Sequence, residues 1–65
     1  MQMRELRNMS EQQLREELDE SYKELMNLRF RAATNQLTDT NQPRKTRKNI
    51  ARILTALRER ELSGR

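Results

Sequence analysis

The stretch PRKTRKNIAR, residues 43–52, holds five Lys/Arg in ten positions and no acid. The chemistry open to it is electrostatic, because ammonium and guanidinium groups bind phosphate oxygens, Arg in a bidentate fork. Pro43 suits the first turn of a helix, where its missing N–H costs nothing. A helix begun there gathers its cations at the end where backbone N–H groups already form a positive pole. Each such exposed end charge costs on the order of 0.3–1 kcal/mol. A bound polyanion reverses the sign, since backbone N–H groups and basic side chains then favour it together. At about 100° per residue, Arg44, Lys48 and Arg52 fall in one row at i, i+4 and i+8, away from Ile50 and Leu57. The small Ala51 and Thr55 lie beside that row and let a polyanion approach. Glu59 and Glu61 fall at the negative end of the same helix, so its charges run against its dipole.

Other chemistries are poorly supplied. The 65 residues include no His and no Cys, which removes the commonest general base, the thiolate nucleophile and any disulfide. No nucleophile–base pair, metal-ligand cluster or glycine-rich loop is legible, so neither an enzyme nor a cofactor, metal or small-molecule substrate is expected. A reducing compartment is compatible with this composition. No apolar run approaches the ~20 residues of a membrane span, and MQMRELRNMS lacks a signal peptide's apolar stretch.

Charge is divided along the chain. The net +4 separates into six Lys/Arg against seven Asp/Glu over residues 1–36, and eight against three over residues 37–65. Such segregation points to an anionic partner, nucleic acid or a membrane surface.

The elements that must position these charges read as helices. In MSEQQL, Ser10 and Gln13 form a capping box, with Met9 and Leu14 as its hydrophobic staple. Leu14, Leu18, Leu25, Leu28 and Ala32 then follow at helical spacing, with Ser21 a weak polar position in the stripe. Glu11–Arg15 and Asp19–Lys23 are favourable i,i+4 pairs. Asn35 tolerates the left-handed conformation that ends a helix. After a polar loop, Thr46, Ile50, Ile53, Leu54 and Leu57 share one side of a second helix, stopped by SGR.

The expected fold is all-α, a long antiparallel two-helix hairpin with a short N-terminal helical turn around Met3 and Leu6. One domain covers residues 1–65, with helices over about 10–35 and 43–62 and a loop over about 36–42. With 32% apolar residues the core is a seam, and so short a chain buries only roughly 60% of its unfolded surface.

Antiparallel pairing brings Arg29 and Arg31 to the same end as Arg44, Lys45, Arg47 and Lys48. A merely solvated charged face is the bland alternative. The inverted dipole, the convergence of two helices and the scarcity of acids argue against it. Contacts there fix position through phosphate and sugar. With two aromatic residues in the chain, a stacking platform for single strands is disfavoured, and structured RNA recognised by shape suits the surface better. Met26 and Phe30 form an i,i+4 pair on the outer face. They are either an incidental apolar patch or a docking point for a neighbouring macromolecule. Tyr22, at the stripe's edge, reads as core.

Two further readings remain. The hairpin's seams could pair into a protein–protein bundle, although few core positions and Ser21 weaken that. The basic helix could lie on a membrane surface, although its apolar face offers no Trp or Phe anchor.

The blocks ELMNLRFRAATNQL (24–37) and RKTRKNIARILTALRERE (44–61) resemble the bacterial-type family of ribosomal large-subunit protein number twenty-nine. The likeness covers nearly the whole chain. It rests on Leu28-Arg29-Phe30, Gln36-Leu37, and Arg47-Lys48-x-Ile50-Ala51-Arg52-x-x-Thr55 taken together. Arg31 stands where the family commonly has glutamine, and Asn35 where it commonly has glycine. The resemblance implies a structural constituent of the large subunit that binds rRNA near the nascent-chain exit and supports translation and assembly. It implies Arg29, Gln36, Arg47, Lys48, Arg52 and Thr55 as rRNA contacts; Arg31, Arg44 and Lys45 join them from the charge argument. It also implies contact with exit-site protein number twenty-three, proximity to chaperones and targeting factors, no membrane partner, and a cytoplasmic location in the ribosome.

Overall fold

The computed structural model describes residues 2–36, 39 and 41–64. Leu37, which belongs to the Gln36-Leu37 motif, lies outside them. Within the described residues the chain is all-helical: α1 over Met3–Arg7, α2 over Glu11–Ala33 and α3 over Gln42–Ser63, with no strand. The chain extends 46 × 16 × 15 Å. A compact protein of 7.9 kDa exposes about 4,400 Å², whereas this one exposes 5294 Å². A rod of this kind has no centre to fill, only a seam.

The ends of α2 are set by local hydrogen bonds. The Ser10 hydroxyl accepts the Gln13 N–H at 3.1 Å, and the Gln13 side-chain oxygen accepts the Ser10 N–H at 2.8 Å, closing the expected box. Met9 packs on the cluster that holds Leu14, completing the staple. At the other end Asn35 takes φ 61°. The Gln36 N–H then reaches back to the Arg31 carbonyl at 2.8 Å and the Asn35 N–H to that of Ala32 at 3.2 Å. These two bonds are a Schellman motif, and they satisfy carbonyls the helix leaves open. Along the exposed face, Arg15 pairs with Glu11 at 2.8 Å and Lys23 with Asp19 at 3.2 Å. Helix α3 starts at Gln42, so Pro43 sits in its first turn.

The seam differs from expectation at four positions. Leu14, Leu25, Leu28, Thr46, Ile50 and Ile53 are buried, and Leu18 and Leu57 half-buried. Ala56 is buried as well, while Leu54 is 45% exposed. Leu54 is one step of about 100° from Ile53 and so falls on the flank, whereas Ala56, three residues on, stays over the seam. Tyr22 is likewise one step from buried Ser21 and is 46% exposed, not core. Ala32 is exposed, because the seam of α2 ends at Leu28.

Leu6, Leu14, Ile53 and Ala56 form one buried cluster, with Met3, Met9, Leu18 and Leu57 against it. Helix α1 is therefore part of the core, its Leu6 fully buried. A small residue at 56 leaves room for that leucine. Further along α2, the buried Ser21 hydroxyl accepts from the Asn49 amide at 3.3 Å. Moving forward along α2 from Leu14 to Ser21, the partners on α3 move backward from Ile53 and Ala56 to Asn49.

Candidate nucleic-acid interface

Every residue expected to touch phosphate is exposed: Arg29, Arg31, Gln36, Arg44, Lys45, Arg47, Lys48, Arg52 and Thr55. Arg29 and Arg31 occupy the closing turns of α2, and Arg44, Lys45, Arg47 and Lys48 the opening turns of α3. Residues 32–43 separate the two groups along the chain. The Schellman motif turns the backbone at Gln36 back on Arg31, which keeps those two neighbours. Asn35 preserves this turn in the conformation glycine would otherwise supply.

Several side chains in this region are already oriented. The Thr55 hydroxyl donates to the Ala51 carbonyl at 2.9 Å, which uses its proton and leaves oxygen lone pairs for an incoming donor, such as a ribose hydroxyl. Arg47 Nε donates to the Pro43 carbonyl at 3.4 Å, a long bond that lays the side chain along the first turn. Arg52 is also engaged within the chain.

Helix α3 opens among cations, with one addition. The first turn of α3 contains no acid, and Asn41 at its N-cap makes no side-chain capping bond. The addition is Asp39. Its carboxylate oxygen accepts the Asn41 N–H at 2.9 Å, and its carbonyl accepts the Gln42 N–H at 3.4 Å. A negative charge therefore sits just ahead of the positive pole. That relieves part of the unfavourable field the cations create.

The far end of α3 is less inverted than its sequence suggests. Glu59 receives Arg7 Nε at 3.3 Å and Nη2 at 3.4 Å. Arg60 is half-buried, and its Nη2 donates to the carbonyls of Leu6 at 3.3 Å and Arg7 at 3.0 Å. These carbonyls belong to α1's last turn, where that of Leu6 also accepts the Met9 N–H at 3.2 Å. Sequence reasoning placed Glu59 at this end but missed its pairing with Arg7, and missed Arg60. One signal was present: Arg60 is three residues past Leu57, on the seam side, where a long cation can bury its stem.

Met26 and Phe30 lie on the outer face as expected, 70% and 65% exposed. The exposed Tyr22 extends them into a row at i, i+4 and i+8. Among the described residues no group of three or more acidic, His or Cys side chains could hold a metal. Nor is any helix among the described residues long and apolar enough to cross a membrane.

The sequence pattern of the family described as Ribosomal L29 protein matches residues 4–60. Curated relatives agree. The large ribosomal subunit protein uL29 of Chloroflexus aurantiacus is 57% identical over 63 residues, covering 97% of this chain and 93% of its own. That of Thermosipho africanus is 54% identical over 65 residues, covering 100% and 98%. That of Mycobacterium avium is 53% identical over 58 residues, covering 89% and 75%.

Proposed function

The chain belongs to the Ribosomal L29 protein family, and on that footing we propose that it is a structural constituent of the large ribosomal subunit that binds rRNA. The family is one of structural proteins, not enzymes. Helices α2 and α3 form an antiparallel hairpin, a reading supported by the backward order of contacts from Leu14–Ile53 to Ser21–Asn49. In that arrangement the basic turns of both helices share one end.

The observation that carries the reading is an exposed cluster of cations around a helix start with no acid in its first turn. Arg29, Arg31, Arg44, Lys45, Arg47, Lys48 and Arg52 bind phosphates, while Gln36 and Thr55 bond sugar or phosphate oxygens. Contacts of this kind position the protein without reading sequence. The duplex-like shape of folded rRNA suits a rigid rod better than unstacked bases do.

The tunnel-exit position, protein number twenty-three as a neighbour, and proximity to chaperones and targeting factors belong to the same proposal, as does a cytoplasmic ribosomal location. The row of Met26 and Phe30, now with Tyr22, is the surface offered to a neighbouring macromolecule, because three large apolar side chains in one exposed row are costly to leave in water.

The test is binding of the wild type and of an Arg47→Ala/Lys48→Ala/Arg52→Ala variant to deproteinised large-subunit rRNA across a salt series. Each lost phosphate contact lowers the slope of log affinity against log salt by roughly one. A variant that still joins ribosomal particles with unchanged affinity and slope would defeat the proposal.

A further inference from the structure

Ser21 is the least expected residue of the seam. It is 3% exposed, in a row otherwise made of leucines, and its hydroxyl accepts the Asn49 side-chain N–H at 3.3 Å. Asn49 is half-buried on the facing side of α3, in the turn that separates Lys48 from Arg52. Thr46, one turn earlier, is buried as well.

We propose that the Ser21–Asn49 pair sets the register of α2 against α3 and thereby positions the cationic row for rRNA. The proposal rests on the rRNA-binding reading above. An aliphatic seam does not by itself choose one register. Leu18, Leu25 and Leu28 on α2, and Ile50, Ile53 and Leu57 on α3, recur at three- and seven-residue steps, so sliding one helix past the other by a turn still matches apolar side chains. Such a slide moves one helix by about 5.4 Å. It also breaks the Ser21–Asn49 bond and moves the Asn49 amide opposite a leucine of α2, Leu18 or Leu25. A buried polar group left without a partner is costly, and a polar residue in an apolar seam is the best-attested device for choosing register.

The consequence reaches the proposed interface through geometry. Asn49 is one residue from Lys48, two from Arg47 and three from Arg52, all on one rigid helix. Arg29 is two turns beyond Ser21 on the other. The distance between the two basic groups is fixed by whichever register the pair selects. A displacement of one turn is comparable to the spacing of successive phosphates, so cations on one helix would lose theirs while those on the other kept contact.

The chain has no Cys, so spin labels can be placed uniquely through Asn27→Cys on α2 and Ala51→Cys on α3, both exposed positions. The free protein is expected to give one narrow inter-label distance. Ser21→Leu/Asn49→Leu makes the seam fully aliphatic. It is expected to keep helical content while adding a second distance displaced by up to about 5.4 Å. Ser21→Ala, a smaller change that removes the acceptor of this bond, is expected to broaden the distribution in the same sense. A single wild-type distance in both variants overturns the register role. Binding to deproteinised large-subunit rRNA is read in parallel, and the double-leucine variant is expected to lose at least tenfold in affinity. Unchanged affinity with a shifted register overturns the positioning role. If the Arg47→Ala/Lys48→Ala/Arg52→Ala variant also binds normally, the rRNA reading has failed instead, while the label distances still decide the register.

Discussion

The guanidinium of Arg60, near the end of α3, lies 3.0 Å from the main-chain oxygen of Arg7, at the end of α1. With the bond to Leu6 O and the burial of Leu6, this makes the five-residue α1 a strap across the hydrophobic cluster. Five residues cannot hold a helix alone in water, since isolated helices shorter than about 12 residues are marginal. The strap therefore stands or falls with its tertiary contacts.

Arg60→Ala is expected to destabilise the protein by about 1–2 kcal/mol, because a charged donor to the Leu6 and Arg7 carbonyls is lost. For a chain of this size that lowers Tm by roughly 4–8 °C per kcal/mol, readable by circular dichroism. Glu59→Gln, which alters only the exposed pair with Arg7, should shift it far less. Leu6→Ala empties a fully buried site and should cost about 2–5 kcal/mol, enough to unfold much of the population.

Ser10→Ala breaks the capping box and should cost about 1 kcal/mol in denaturant unfolding. Gln13→Ala removes the reciprocal half. The double variant should lose less than the two losses added, because both residues serve one motif. Full additivity would mean the two bonds act separately.

Asp39→Asn keeps an oxygen able to accept the Asn41 N–H but removes the charge ahead of α3. The free protein should lose about 0.3–1 kcal/mol at low salt. Its affinity for rRNA should rise, since a like charge no longer faces the phosphates. Opposite signs in a melt and a binding titration are the expected signature. A change of the same sign in both would remove Asp39 from the interface.

Lys23 is held above its ordinary pKa of 10.5 by its hydrogen bond to Asp19, then by that carboxylate's charge, then by Glu20. A raised folded-state pKa means that the pair's contribution is fully present below the unfolded value and fades as pH climbs through the folded one. The effect therefore belongs above about pH 10, and the pair is solvent-exposed, so salt should weaken it. Titration followed by NMR should place Lys23 above its ordinary value at low salt. Asp19→Asn should remove most of that difference.

Much of the architecture was legible along the chain because its causes are local. A capping box needs residues three apart, a C-terminal turn needs one residue that accepts φ > 0, and a stripe needs only the helical repeat. Ser10, Gln13, Asn35 and the leucines therefore declared both ends of α2 and its buried side. The cations of α3 pointed to an anionic partner for the same reason, since their density and the missing acids are properties of one short stretch. What only the tertiary structure decided was how the elements meet. Arg60 on the carbonyls of α1, Arg7 on Glu59, Ala56 rather than Leu54 beneath Leu6, and Asn49 against Ser21 join residues tens of positions apart. Periodicity cannot choose among such pairs, because it assigns a residue to a face but not to a partner. That choice is made when side chains compete for one narrow seam, where volume and unmet hydrogen bonds discriminate between arrangements that look alike along the chain.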